Sequence, residues 1–131
     1  MKLTDIKRAY ERIEQGDWIK DIPEMPGLAL RVKGIGNLAF DHARQELIRK
    51  RPHAEKVARL DAAEEYAELG KLLADTVLID WSGLQDDDGV EMPYSKVRAE
   101  ALLTDPEMRA FQNAVQYAAL MVATPASGPA A

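Results

Sequence analysis

The stretch that decides the fold is Asp80-Trp81-Ser82-Gly83-Leu84, followed by Asp86-Asp87-Asp88-Gly89, Pro93-Tyr94-Ser95 and Thr104-Asp105-Pro106-Glu107. It predicts a helix that ends at Gly83, then a tight acidic turn, then two helix starts. Ser95 is the expected N-cap of a helix over 96–103, and Thr104 the first residue of a capping box with proline in the first turn. Trp81 and Phe111 are the expected anchors of the core, and the Trp81 indole N–H needs a hydrogen-bond partner.

The segments around this stretch have helical periodicity. Helices are predicted over 3–15, 38–51, 53–80 and 96–103, with a last helix that ends near 122. The first helix carries Leu3, Ile6, Tyr10 and Ile13 on one face, which is expected to pack in the core, with Thr4 as N-cap and Gly16 as the stop. The long helix contains Gly70, a weak point for helix formation in its middle. The second helix is expected to bury one face in the core, which carries Phe40, Ala43, Leu47 and Ile48.

A single short strand interrupts this helical pattern. Leu28, Leu30 and Val32 alternate with polar or small residues before Gly34. A lone strand has unpaired edges, so a partner must come from this chain, where Trp18-Ile19 is a candidate, or from a neighbouring subunit. The sequence therefore predicts a mainly α domain of about five helices, with one short strand or hairpin near residues 18–34. That domain is expected to span residues 1–123, with residues 124–131 as a flexible tail.

Composition limits the classes of function. The chain has 131 residues, 47% of them apolar and 30% charged, which is typical of a globular domain. It contains no cysteine, so disulfides, thiolate nucleophiles and cysteine zinc sites are excluded. Its pattern predicts neither a signal peptide nor the roughly 20 apolar residues of a membrane span. A soluble protein of a reducing cytoplasm is expected.

Charge is distributed unevenly along the chain, although the net charge is −5. Residues 41–59 are rich in Lys and Arg, and residues 61–91 carry ten acids against one lysine. Such a molecule can pair head to tail with its own copies, or it can simply have two solvated faces of opposite sign. The candidate residues for self-association or partner binding are Arg44, Arg49, Arg51, Glu64, Glu68, Asp86 and Asp87.

No motif predicts catalysis, a cofactor or a metal site. Gly34-Ile35-Gly36-Asn37 lacks the spacing of a phosphate-binding loop, and Asn37 is expected to cap the next helix instead. Aligning Gly89 with the sixth position of a calcium loop places Leu84 and Ser95 where carboxylates are required. Residues 86–89 are therefore predicted to form an exposed turn in which Gly89 has positive φ.

The order and spacing of several short motifs resemble those of tail assembly chaperones of long, flexible-tailed bacteriophages. The likeness covers about residues 18 to 120. It rests on Arg31-Val32-Lys33-Gly34, Asn37, Phe40, Asp80-Trp81-Ser82-Gly83, Asp88-Gly89, Pro93-Tyr94-Ser95, Leu102-Leu103, Asp105-Pro106 and Phe111.

The resemblance implies a protein without enzymatic activity that works in the cytoplasm of the bacterial host cell. Such a protein self-associates into a spiral around the tape measure protein and keeps it soluble until tail tube subunits displace it. The family often has a longer form made by translational frameshifting. Two alternatives remain open: a structural head–tail connector or other virion tail protein, and a small nucleic-acid-binding regulator that uses the basic residues of 41–59. The acidic net charge and the 6% content of aromatic residues weigh against nucleic acid as a partner.

Overall fold

The computed structural model describes residues 1–51 and 61–124. Residues 52–60, where the predicted helix 53–80 begins, and residues 125–131 of the expected tail lie outside this range. The predicted fold class, a mainly α domain with a hairpin near residues 18–34, is confirmed for the described residues. In chain order their elements are α1 (Leu3–Gln15), β1 (Asp17–Ile19), β2 (Ala29–Val32), α2 (Leu38–Lys50), α3 (Ala62–Thr76), β3 (Leu78–Ser82), α4 (Lys96–Thr104), a 3-10 turn (Pro106–Met108) and α5 (Arg109–Ala123).

The strands form one antiparallel sheet in the order β1-β2-β3. β1 pairs with β2, with Trp18 opposite Arg31, so the partner that the sequence left open comes from the same chain. β2 pairs on its other side with β3, with Leu30 opposite Trp81. The central strand therefore has neither edge free.

The third strand corrects the predicted end of the long helix. The helix was expected to reach Asp80 and close at Gly83, but α3 ends at Thr76 and residues 78–82 are extended. β-branched and aromatic residues in this segment favour an extended backbone, and pairing satisfies the open edge of β2. Because the paired strands are far apart in the sequence, local periodicity could not reveal the strand.

The core lies between the sheet and the last three helices. α3 and α4 come into close contact at Gly70, where an added Cβ would overlap the Leu103 carbonyl oxygen and lie 2.7 Å from its carbon. Carbon atoms prefer separations of about 3.5–4.0 Å. Gly70 is therefore a point of helix contact, and not merely a weak point in α3. The fully buried apolar side chains include Leu30, Val32, Leu73, Val77, Leu103, Val115 and Val122.

Asn37 joins the start of α2 to the end of α3. Its Oδ1 accepts a hydrogen bond from the Phe40 N–H at 2.9 Å, which confirms the predicted N-cap. Its Nδ2 donates to the carbonyl oxygens of Gly34 at 2.9 Å and Thr76 at 3.0 Å, and the whole side chain is buried. The prediction that Ile48 lies in the core is wrong, because its side chain is exposed. Phe40 is buried as predicted, and Ala43 and Leu47 pack partly buried against the core.

The two predicted helix starts near the C-terminal end have different outcomes. Ser95 caps α4 as expected, since its Oγ accepts from the Arg98 N–H at 3.1 Å. The capping box at Thr104 is wrong, because Thr104 is the last residue of α4 and Asp105 is the cap, accepting from the Glu107 N–H at 2.9 Å. A residue that precedes proline is restricted to extended backbone, so Asp105 must leave the helix.

Candidate interaction surfaces

Three of the four residues of the apolar stripe of α1 face solvent, which contradicts the prediction that the stripe packs in the core. Leu3, Ile6 and Tyr10 are 78%, 51% and 55% exposed, and we call these three residues the α1 apolar face. No residue of α1 is buried. The N-cap position is Lys2 and not Thr4. Periodicity correctly identifies an amphipathic helix, but it does not specify what covers the apolar side.

α1 is attached to the domain through its C-terminal part. The Gly34 N–H donates to the Ile13 carbonyl oxygen at 2.9 Å, and the absence of a Cβ at Gly34 lets the Ile13 side chain pack against it. The Leu38 N–H donates to the Glu14 carboxylate at 2.9 Å. Between α1 and Val122 lies a shallow cleft of about 330 Å³. The contacts thus hold one end of α1 and leave the apolar face uncovered.

Trp81 lies at the centre of the stretch on which the fold depends. It is buried, and its Nε1–H donates to the Met92 carbonyl oxygen at 2.7 Å. Its ring makes edge-to-face contacts with Tyr94, at a centroid distance of 5.1 Å, and with Phe111, at 5.9 Å. These contacts fix the segment that leads from β3 to α4.

Two tyrosines, Tyr66, which is buried, and Tyr94, which is partly buried, anchor neighbouring parts of the same region. The Tyr94 hydroxyl donates to the Leu78 carbonyl oxygen at 3.4 Å, and the Tyr66 hydroxyl donates to the Asp105 carbonyl oxygen at 2.7 Å. Burial raises the pKa of both phenols, because the charged form loses hydration.

Residues 85–91, which we call the acidic turn, project from this anchored segment. They carry four acids and no basic residue. Asp86 Oδ1 accepts from the N–H groups of Asp88 at 2.9 Å and Val90 at 3.0 Å, and Gly89 has the predicted positive φ of 80°. The Val90 side chain is 61% exposed. The sequence prediction of surface residues did not include Val90, although an apolar residue within an acidic run indicates such a position.

The structure brings some of the charged candidate residues together within one chain. Arg51, at the end of α2, forms an ion pair with Glu68 of α3. Arg49 forms an ion pair with Glu46 at 2.7 Å, and the hydrogen bond from Arg49 lowers the pKa of that carboxyl. Part of the charge that was predicted to face a second copy is therefore balanced internally.

The remaining charged candidates are distributed over three elements. Arg44 is exposed on α2, and Glu64 lies in the first turn of α3, where its N–H donates to Asp61 Oδ1 at 2.8 Å. Asp86 and Asp87 belong to the acidic turn. The role of all seven residues in partner binding stays a prediction.

The described part of the chain forms neither a metal-binding cluster nor a membrane-spanning helix. Within residues 1–51 and 61–124, no group of three or more His, Asp or Glu side chains is arranged to hold a metal ion. The helices described there are too short or too polar to span a bilayer.

Comparison with known proteins places the chain among prophage proteins. Residues 35–128, well over half of the sequence, match the family described as YdaY prophage protein. The match begins after β2, so α1 and the hairpin lie outside it. Neither the curated proteins nor the solved structures gave a significant match. The chain belongs to the YdaY prophage protein family.

Proposed function

We propose that this prophage protein is a tail assembly chaperone that self-associates and coats the tape measure protein. It keeps that long chain soluble in the host cytoplasm until tail tube protein displaces it. Membership of a prophage family and the resemblance carried by Trp81-Ser82-Gly83, Asp88-Gly89 and Pro93-Tyr94-Ser95 both support this function.

The observation that carries the proposal is the α1 apolar face. Amphipathic helices normally bury their apolar side, and an uncovered one is a docking element for another protein. Leu3, Ile6 and Tyr10 are all more than half exposed in the isolated chain. A protein whose task is to cover another chain and its own copies requires such a surface.

The charge arrangement weighs against the nucleic-acid-binding alternative. Arg49 and Arg51 each pair with a carboxylate of the same chain, so both guanidinium charges are balanced within the molecule. Binding to phosphates would require these ion pairs to break.

Co-expression with the tape measure protein of the same prophage tests the function. The expected result is a larger soluble fraction of the tape measure protein and its co-purification with this chain. Addition of tail tube protein should release the chain from the complex. An unrelated helical protein of similar size is the control.

Two results would contradict the proposal. One is tape measure protein that stays equally insoluble with and without this chain and does not co-purify. The other is the detection of this chain by mass spectrometry as a stoichiometric part of finished particles. That result would favour the alternative of a structural virion protein.

A further inference from the structure

The α1 apolar face and the acidic turn lie at opposite ends of the three-stranded sheet. α1 joins at the Val32 end, where the Gly34 N–H bonds to the Ile13 carbonyl oxygen. β3 runs antiparallel to β2, from Leu78 opposite Val32 to Ser82 opposite Ala29. The chain then leaves the sheet at the Ala29 end and enters the acidic turn. The elements that carry the two surfaces therefore join the sheet at opposite ends.

The two surfaces also differ in charge. Lys2 is one helical turn before Ile6, and Lys7 is one turn after Leu3, so the two lysines flank the α1 apolar face. Both are exposed, and in the described part of the chain neither side chain forms an ion pair. Residues 1–10 carry three basic side chains and one acid, whereas residues 85–91 carry only acids.

The acidic turn is already ordered for binding. Besides the bonds to Asp86 Oδ1, the Asp86 N–H donates to the Val90 carbonyl oxygen at 2.9 Å, and Glu91 Oε1 accepts from the Gly83 N–H at 2.9 Å. The Met92 N–H donates to the Leu84 carbonyl oxygen at 2.8 Å, next to the anchor at Trp81. A surface fixed in this way loses little conformational entropy when a partner docks.

We propose that the α1 apolar face of one copy docks on the acidic turn of a second copy. Leu3, Ile6 and Tyr10 pack around Val90, while Lys2 and Lys7 lie against the carboxylates that surround it. The inference rests on the self-association that is part of the proposed function, and it names the surfaces that make the contact.

The second copy is favoured as the occupant because the complementary surface is present on the same molecule. A face-to-face contact between two parallel α1 helices would place Lys2 and Lys7 near the same lysines of the other copy, which is unfavourable. A contact between different surfaces at opposite ends repeats from copy to copy. It therefore builds a ring or an open spiral in place of a closed dimer.

Charge exchange tests the contact directly. One variant carries Lys2→Glu and Lys7→Glu, and the other carries Asp87→Lys and Asp88→Lys. Sedimentation velocity over a range of concentrations, at about 50 mM salt, measures association, because such contacts are only weakly screened there. Each variant alone should associate at least about tenfold more weakly than the unmodified chain. An equimolar mixture of the two variants should recover association, because each then presents the charge that the other requires.

A matched control carries the same change of charge elsewhere. Lys20→Glu with Lys50→Glu alters two exposed basic residues outside both surfaces and should leave association unchanged. Far-UV circular dichroism of every variant establishes that it is folded. Loss of association in the control variant alone would overturn the inference, because the contact would then lie outside the two surfaces.

The inference and the proposed function fail in different ways. Unmodified chain that binds tape measure protein but stays monomeric overturns the contact alone. Normal association of both single-surface variants, or a mixture that does not recover, also overturns it. Tape measure protein that is not bound by unmodified chain counts against the proposed function, whatever the charge variants do.

Discussion

For the substitution Gly70→Ala, tertiary packing and local helix propensity predict opposite changes in stability. Propensity alone predicts that Gly70→Ala stabilises α3 by about 0.8–1.0 kcal/mol. In the structure the new Cβ would overlap the Leu103 carbonyl group, with 2.7 Å to its carbon against a preferred separation of about 3.5–4.0 Å. α3 and α4 must therefore separate by about 1 Å, or the backbone near Leu103 must distort.

The structure allows the magnitude to be estimated. Overpacking of this kind costs about 1–3 kcal/mol. The displaced Leu103 carbonyl oxygen also accepts a hydrogen bond from Gln112 Nε2 at 3.0 Å, and loss of a buried hydrogen bond costs about 1–3 kcal/mol. After subtraction of the propensity gain, Gly70→Ala should lower the free energy of unfolding by about 1–5 kcal/mol, with a central value of about 3 kcal/mol. That is a large part of the stability of an ordinary domain.

Urea denaturation followed by circular dichroism and tryptophan fluorescence, to which Trp18 and Trp81 both contribute, measures this change. Ala67→Gly is the matched control, because it lies in the same helix on an exposed position and should cost only about 0.8–1.0 kcal/mol. Both substitutions should lower the denaturation midpoint, with the larger loss for Gly70→Ala. A midpoint that rises in Gly70→Ala would refute the close contact between α3 and α4.

Three further predictions concern polar groups that are buried or partly buried. Asn37→Ala removes three internal hydrogen bonds and should lower the free energy of unfolding by about 3–5 kcal/mol in urea denaturation, whereas Asn37→Ser, which keeps the cap acceptor, should lose less. Trp81→Phe leaves the Met92 carbonyl oxygen without its donor and should cost about 2–3 kcal/mol, measured by circular dichroism during denaturation. The pKa values of Tyr66 and Tyr94 are raised by burial, so their contribution to stability is fully present below the unfolded value of 10.0 and is lost as pH rises above it. The denaturation midpoint should therefore fall as the pH rises above about 10, and less so in the double Tyr→Phe variant.

Each of these predictions has a result that contradicts it. Equal stability of Asn37→Ala and Asn37→Ser would mean that the cap bond contributes nothing. Unchanged stability of Trp81→Phe would argue against the bond to Met92. The double Tyr→Phe variant lacks the hydroxyls of Tyr66 and Tyr94. If it loses as much stability at alkaline pH as the unmodified chain, other groups cause the loss.

Much of the local structure could be predicted because its causes are local. Asn37 and Ser95 cap their helices through side-chain oxygens that reach an N–H three residues ahead. Gly89 has positive φ because a tight turn requires it there. The hairpin near residues 18–34 could likewise be predicted, because apolar residues there alternate with polar or small ones, and proline and glycine interrupt the helical pattern. The cap at Asp105 was missed because the restriction before proline outweighed the capping-box spacing.

The candidate surfaces depended on contacts that sequence patterns do not encode. Arg51 and Glu68 lie on different elements, so only the packing of α2 on α3 showed that they neutralise each other. Val90 was visible as an apolar residue among acids, but its exposure depends on how the acidic turn projects from the anchor at Trp81.

By itself the sequence determined the helical class, most helix boundaries and the turns, because hydrogen bonds and steric limits between near neighbours decide these features. Only the tertiary structure decided that Leu78–Ser82 is a strand, since its pairing partner lies far away in the chain. The tertiary structure also decided that the α1 apolar face is exposed. Amphipathic periodicity specifies that a helix has an apolar side, but whether that side meets the core or solvent depends on where the rest of the chain packs.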